Sequence, residues 1–74
     1  MDVIETGDLQ LAAYALARGG KLLRVVKGER PSFRLEGLRL ELAEIDFAHF
    51  GPTDVEPEEY DWHLRCLTSL WGPR

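Results

Sequence analysis

The segment Lys21-Leu22-Leu23-Arg24-Val25-Val26-Lys27-Gly28-Glu29-Arg30-Pro31-Ser32-Phe33-Arg34-Leu35-Glu36 decides how this chain folds. Residues 21–27 and 32–36 are rich in β-branched, aliphatic and aromatic side chains that suit a pleated, half-buried surface, and the Gly28-Glu29-Arg30-Pro31 between them is turn chemistry. A two-stranded antiparallel hairpin is the economical reading. With Gly28, Glu29 and Arg30 as a three-residue loop, Val25 faces Phe33 and Leu23 faces Leu35, which gathers four apolar side chains on one face. The other face then carries Arg24 beside Arg34, a like-charge pair that costs some stability, with Leu22 and Val26 half covered next to them.

Helical patterns flank the hairpin. Residues 8 to 18 read as a helix with Thr6 or Asp8 accepting backbone N–H bonds at its start and Gly19-Gly20 supplying a left-handed stop. Leu9, Ala12, Ala13 and Leu16 form its expected inner stripe, small enough to lie close on a sheet, with Tyr14 at an edge and its hydroxyl in water. Residues 38 to 50 carry two signals: Leu38 to Leu42 alternate like a strand, whereas Leu38, Leu42, Ile45 and His49 recur at helical spacing. Length favours helix. Leu40, Ala43, Phe47 and Phe50 then make a second apolar side, so that this helix needs neighbours on two sides, and Gly51-Pro52 ends it. The last helix opens on Pro57 amid Glu56, Glu58, Glu59 and Asp61, which suit the positive helix end. Its stripe is Tyr60, Leu64, Leu67 and Trp71, and Gly72-Pro73 closes it. The expected fold is a single α+β domain over residues 1–74: N-terminal helix, hairpin and two further helices in one small layer arrangement.

At 74 residues the chain lies near the size at which one core supplies only about 3–5 kcal/mol, so self-association is a natural expectation. One cysteine, Cys66, excludes an intramolecular disulfide framework. The acidic N-terminal residues and the short Ala-rich stretch from Leu11 match neither a cleavable leader nor a membrane span, so a cytoplasmic location with no membrane partner is expected. Charge is strongly segregated. Seven of the nine Lys and Arg fall between Arg18 and Arg39, opposed there by Glu29 and Glu36 alone, while residues 40–61 hold eight carboxylates and no Lys or Arg.

Candidate chemistries are thin. His63 and Cys66 are three apart on the last helix, but a structural zinc site takes four ligands and the chain adds only His49, so no metal or cofactor is expected. Cys66 reads better as a small packed hydrophobe and His63 as a rim residue. A Cys–His catalytic pair lacks an orienting third group, since Asp61 points away on the helix, and no catalytic residue is assigned. Glu41, Glu44 and the carboxylates from Glu56 to Asp61 are what solvated helix starts carry without catalysis. Gly19-Gly20 sits at a helix end, the wrong pole for an anion.

The basic hairpin is the strongest functional candidate, with Leu22, Arg24, Val26, Lys27, Arg30 and Arg34 as partner-binding residues and Trp62 as an anchor on the last helix, where a homodimer seam is one arrangement. Edge strands also carry Lys and Arg simply to discourage aggregation. Net charge of −4 and the lack of interleaved aromatics rank a nucleic-acid-associated factor second to a protein partner.

The runs Thr6-Gly7-Asp8-Leu9-Gln10-Leu11-Ala12-Ala13-Tyr14-Ala15-Leu16-Ala17-Arg18-Gly19, Lys21 to Val26 and Phe33 to Glu36, and the spaced Tyr60, Leu64 and Leu67, resemble a family of small bacterial and phage proteins catalogued only as a domain of unknown function. The resemblance spans nearly the whole chain, is most specific from Asp8 to Tyr14 and loosest over 38–55, and implies the helix–hairpin–helix layout without site residues. Gly20 departs from it, standing where members often have a histidine. The expectation is therefore a small non-enzymatic protein-interaction module, phage or mobile-element associated, acting on a host or replication protein. A nucleic-acid-associated factor using the basic hairpin is the alternative.

Overall fold

The structure, a computed structural model, describes residues 1–70 in full and Trp71 by its backbone. It is an α+β arrangement of β1 (Asp2–Thr6), α1 (Leu9–Ala17), β2 (Lys21–Val26), β3 (Ser32–Gly37), α2 (Leu40–Phe50) and α3 (Pro57–Trp71). The expected hairpin is part of a three-stranded antiparallel sheet in the order β1-β3-β2. β1 is an additional strand beyond that hairpin. It pairs with β3 so that Ile4 faces Leu35, Glu5 faces Arg34 and Val3 faces Glu36, which makes β3 the central strand. Ile4, Phe33 and Leu35 are buried on the core side, while Val3, Glu5 and Arg34 alternate onto the other.

The hairpin register matches the expected one at Val26 opposite Ser32, Val25 opposite Phe33 and Arg24 opposite Arg34. It then slips at a bulge. Leu23 is the extra residue, so Leu22 rather than Leu23 faces Leu35. Leu22 accordingly packs against the core, and its expected place beside Arg24 on the outer face is corrected: the slip moves it to the inner face and leaves Leu23 exposed.

α1 begins where Asp8 Oδ1 accepts from the backbone N–H groups of Gln10 (3.0 Å) and Leu11 (3.3 Å), while Thr6 Oγ1 accepts from the Asp8 N–H (3.0 Å). It stops in a paired cap: Gly20 N–H donates to the Ala15 carbonyl (2.9 Å), Gly19 N–H to that of Leu16 (3.0 Å). Gly19 adopts φ +100°, and a Cβ at Gly20 would stand 2.7 Å from the Ala15 carbonyl oxygen, so any side chain at position 20 needs this cap to shift.

α1 is buried almost all round, from Leu11 through Ala15. It lies on the core face of the sheet, α3 packs on α1, and α2 packs beside it against β1. This layering overturns the expected place of Tyr14. Instead of an edge position it is fully buried, its ring 5.2 Å from that of Phe47 and its hydroxyl accepting from Arg18 Nη1 at 3.0 Å. The hydroxyl is satisfied by Arg18, not water, because helices cover both flanks of α1.

α2 is a helix, as its length implied, and its start is held by an unexpected partner: Asp2 Oδ2 of β1 accepts from the Glu41 N–H at 3.2 Å. Leu40 and Ala43 are buried, and Phe47 packs against the core. On α3, Leu67 is buried with Tyr60 and Leu64 beside it. The Trp71 side chain and the Gly72-Pro73 stop lie outside the described residues.

Candidate functional site: the open face of the sheet

The three helices described lie on the core side, so among the described residues nothing covers the opposite face of the sheet. Its composition follows from register. One cross-strand row runs Lys21–Glu36–Val3, the next runs Arg24–Arg34–Glu5, and the third begins with Val26 opposite Ser32. Leu23, placed by the bulge, adds an apolar side chain near Arg24, and Lys27 and Arg30 extend the surface into the exposed hairpin loop. Cations thus concentrate towards β2 and carboxylates towards β1, a charge gradient across three strands.

Arg24 and Arg34 are direct register partners, both exposed, and among the described residues no carboxylate lies within 4.0 Å of either guanidinium. Like charges in directly opposed positions repel, so the pair favours an incoming negative group. Glu5 flanks Arg34 across the next strand gap, but its Oε2 accepts from the Ser32 hydroxyl at 3.1 Å. Glu36 faces Lys21 in the same way. The face is therefore mixed and cation-dominated on one side, less uniformly basic than the hairpin alone implies, because β1 brings Glu5 to it.

Arg18 belongs to a different structure. Its Nη1 donates to the Tyr14 hydroxyl and pairs with Asp54 Oδ2 at 3.2 Å, and the guanidinium lies 5.6 Å from the Tyr14 ring centroid. The bond to Tyr14, helped by Asp54 and Asp46, raises its pKa above the ordinary arginine value against the opposing cost of burial. Arg18 therefore ties the segment before α3 to α1 and is spent inside the molecule.

Trp62, also expected at the contact surface, lies elsewhere. It is 61% exposed on the outward side of α3 and meets His63 edge-on, with centroids 5.0 Å apart. Because α1 separates α3 from the sheet, Trp62 and the Arg24–Arg34 pair are not brought together. His63 Nε2 sits 3.8 Å from Glu59, and Cys66 is a free thiol. Among the described residues no group of three or more His, Cys, Asp or Glu is placed to hold a metal ion, and no helix is long and apolar enough to cross a membrane.

Val3, Glu5 and Leu23 are the members of this face that the sequence reading missed. The signal for the first two was the β-branched run Val3, Ile4 and Thr6 ahead of Gly7. A bulge has no comparable signature here. Comparison of the chain with family models, with curated proteins and with solved structures finds no match.

Proposed function

We propose that this chain is a non-enzymatic protein-interaction module whose working surface is the open sheet face. The observation that carries the reading is the opposed, unneutralised pair Arg24 and Arg34, set among the apolar side chains of Leu23, Val26 and Val3. Charge draws the partner in and apolar contact holds it: an acidic surface approaches the β2 side, and its apolar residues settle between the cation rows. Lys27 and Arg30 in the hairpin loop widen the region of attraction. The single free cysteine fits a reducing, cytoplasmic setting. The resemblance to small phage and bacterial proteins adds a host or replication protein as the kind of partner such a module meets.

The decisive experiment is affinity capture from source-cell extract with the wild-type chain and with the double variant Arg24→Glu/Arg34→Glu. The reading expects an acidic protein retained by the wild type and lost with the variant while its circular dichroism stays unchanged. Retention unaffected by the double reversal removes the sheet face from the account.

Phosphate binding by the same two arginines is the second reading, favoured by their being unpaired and opposed by Glu5 and Glu36 on the same face. Saturable binding of single- or double-stranded probes that weakens steeply with salt would favour it.

A further inference from the structure

The most conspicuous unpartnered surface lies on α2. Leu40, Ala43 and Phe47 face the core, while Leu42 (55% exposed) and Ile45 (56%) point the opposite way. Within the helix, Leu42, Ile45 and His49 fall on one stripe at positions i, i+3 and i+7. A helix apolar on two opposite sides is built to have a neighbour on each, and the described residues supply only one.

Flanking charge decides what the missing neighbour is. Glu41 and Glu44 border the stripe on one side and Asp46 on the other, within a stretch from 40 to 61 that has no Lys or Arg. Two copies of α2 laid against each other would bring Glu41 and Glu44 of one beside the same residues of the other, which is repulsive. A surface with cations spaced among apolar groups is the complement. The β2 side of the open sheet face has that composition, with Leu23 and Val26 beside Lys21, Arg24 and Arg34, while Glu5 lies at the β1 side.

We propose that α2 of a second copy of this chain docks on the open sheet face, its Leu42–Ile45 stripe on Leu23 and Val26 and its Glu41 and Glu44 against Arg24 and Arg34. The inference rests on the reading of that face as a docking surface and names its occupant. Each copy carries both halves of the contact, so association is either a reciprocal two-fold dimer or a head-to-tail chain. One helix on three strands is a small interface, so association is weak and rises with concentration.

Sedimentation equilibrium on the full chain from micromolar to millimolar concentration tests this with two charge-swap variants, each checked for unchanged circular dichroism. Glu41→Lys/Glu44→Lys and Arg24→Glu/Arg34→Glu both change exposed positions, so folding is expected to survive. The wild type should self-associate, and each variant alone should remain monomeric. An equimolar mixture of the two should associate again, because each helix then meets a sheet face of opposite sign. Carrying all four substitutions on one chain should restore self-association too.

Each of three results overturns the proposal: a wild type that stays monomeric throughout, variants that associate like the wild type, or a mixture that stays monomeric. A monomeric wild type that still captures a foreign acidic protein through Arg24 and Arg34 removes the second copy as occupant and leaves the docking face standing.

Discussion

Backbone strain at a single residue is concentrated at Arg39, which holds φ 59° and ψ 36° at the start of α2. A side-chain-bearing residue in the left-handed region costs about 1 kcal/mol, and a cation beside the positive end of a helix adds a smaller penalty. Arg39→Gly should therefore stabilise the domain by about 0.5–1 kcal/mol, read as a higher urea midpoint at unchanged slope. No change, or a loss, would mean that the guanidinium makes a compensating contact. Tyr60 gives a pH-dependent test at the same scale. Burial, helped by the Asp8 carboxylate, raises its pKa above the ordinary 10.0, so folding favours the protonated phenol. The stabilisation is complete below pH 10 and lost as pH rises through the folded-state pKa. Tyr60→Phe should consequently show a shallower fall in thermal midpoint between neutral and strongly alkaline pH than the wild type does.

β1 is the element that separates the observed sheet from the expected hairpin, and its role is testable through the alternation of its side chains. Ile4 is buried opposite Leu35, whereas Val3 lies on the open face opposite Glu36. Ile4→Ala should cost about 2–4 kcal/mol, a large part of the stability of so small a domain, while Val3→Ala should change stability by less than about 0.5 kcal/mol. Urea titration of the pair distinguishes the two, and equal effects would contradict the register. The helices were legible because periodicity, Asp8, Gly19 and Pro57 all pointed the same way. The hairpin was legible from its turn and from the Val25–Phe33 pairing. What stayed hidden depended on tertiary contact. β1 is too short to declare itself without β3 beside it, the bulge at Leu23 shows only in the pairing of β2 with β3, and Tyr14 is buried because α2 and α3 close over α1.

For the whole molecule, charge segregation in sequence becomes a partition in space. Carboxylates populate α2, α3 and the segment joining them, cations populate β2 and the hairpin loop, and the sheet presents the cations on a face that no element among the described residues covers. That partition was readable from the sequence, whereas its moderation by Glu5, and the diversion of Arg18 to Tyr14 and Asp54, required the fold. Because exposed charges are screened within about 10 Å at 0.1 M salt, docking driven by Arg24 and Arg34 should slow in association as ionic strength rises, with dissociation changing less. Stopped-flow kinetics at two salt concentrations would show the split.

The most direct measurement is an amide and methyl NMR titration of the labelled chain with its captured partner, or with increasing amounts of itself. The account predicts that the largest shifts fall on Lys21, Leu23, Arg24, Val26 and Arg34, joined in the self-titration by Leu42 and Ile45 of α2, with the α3 surface around Trp62 silent. Shifts centred on Trp62, with the sheet face unchanged, would contradict it.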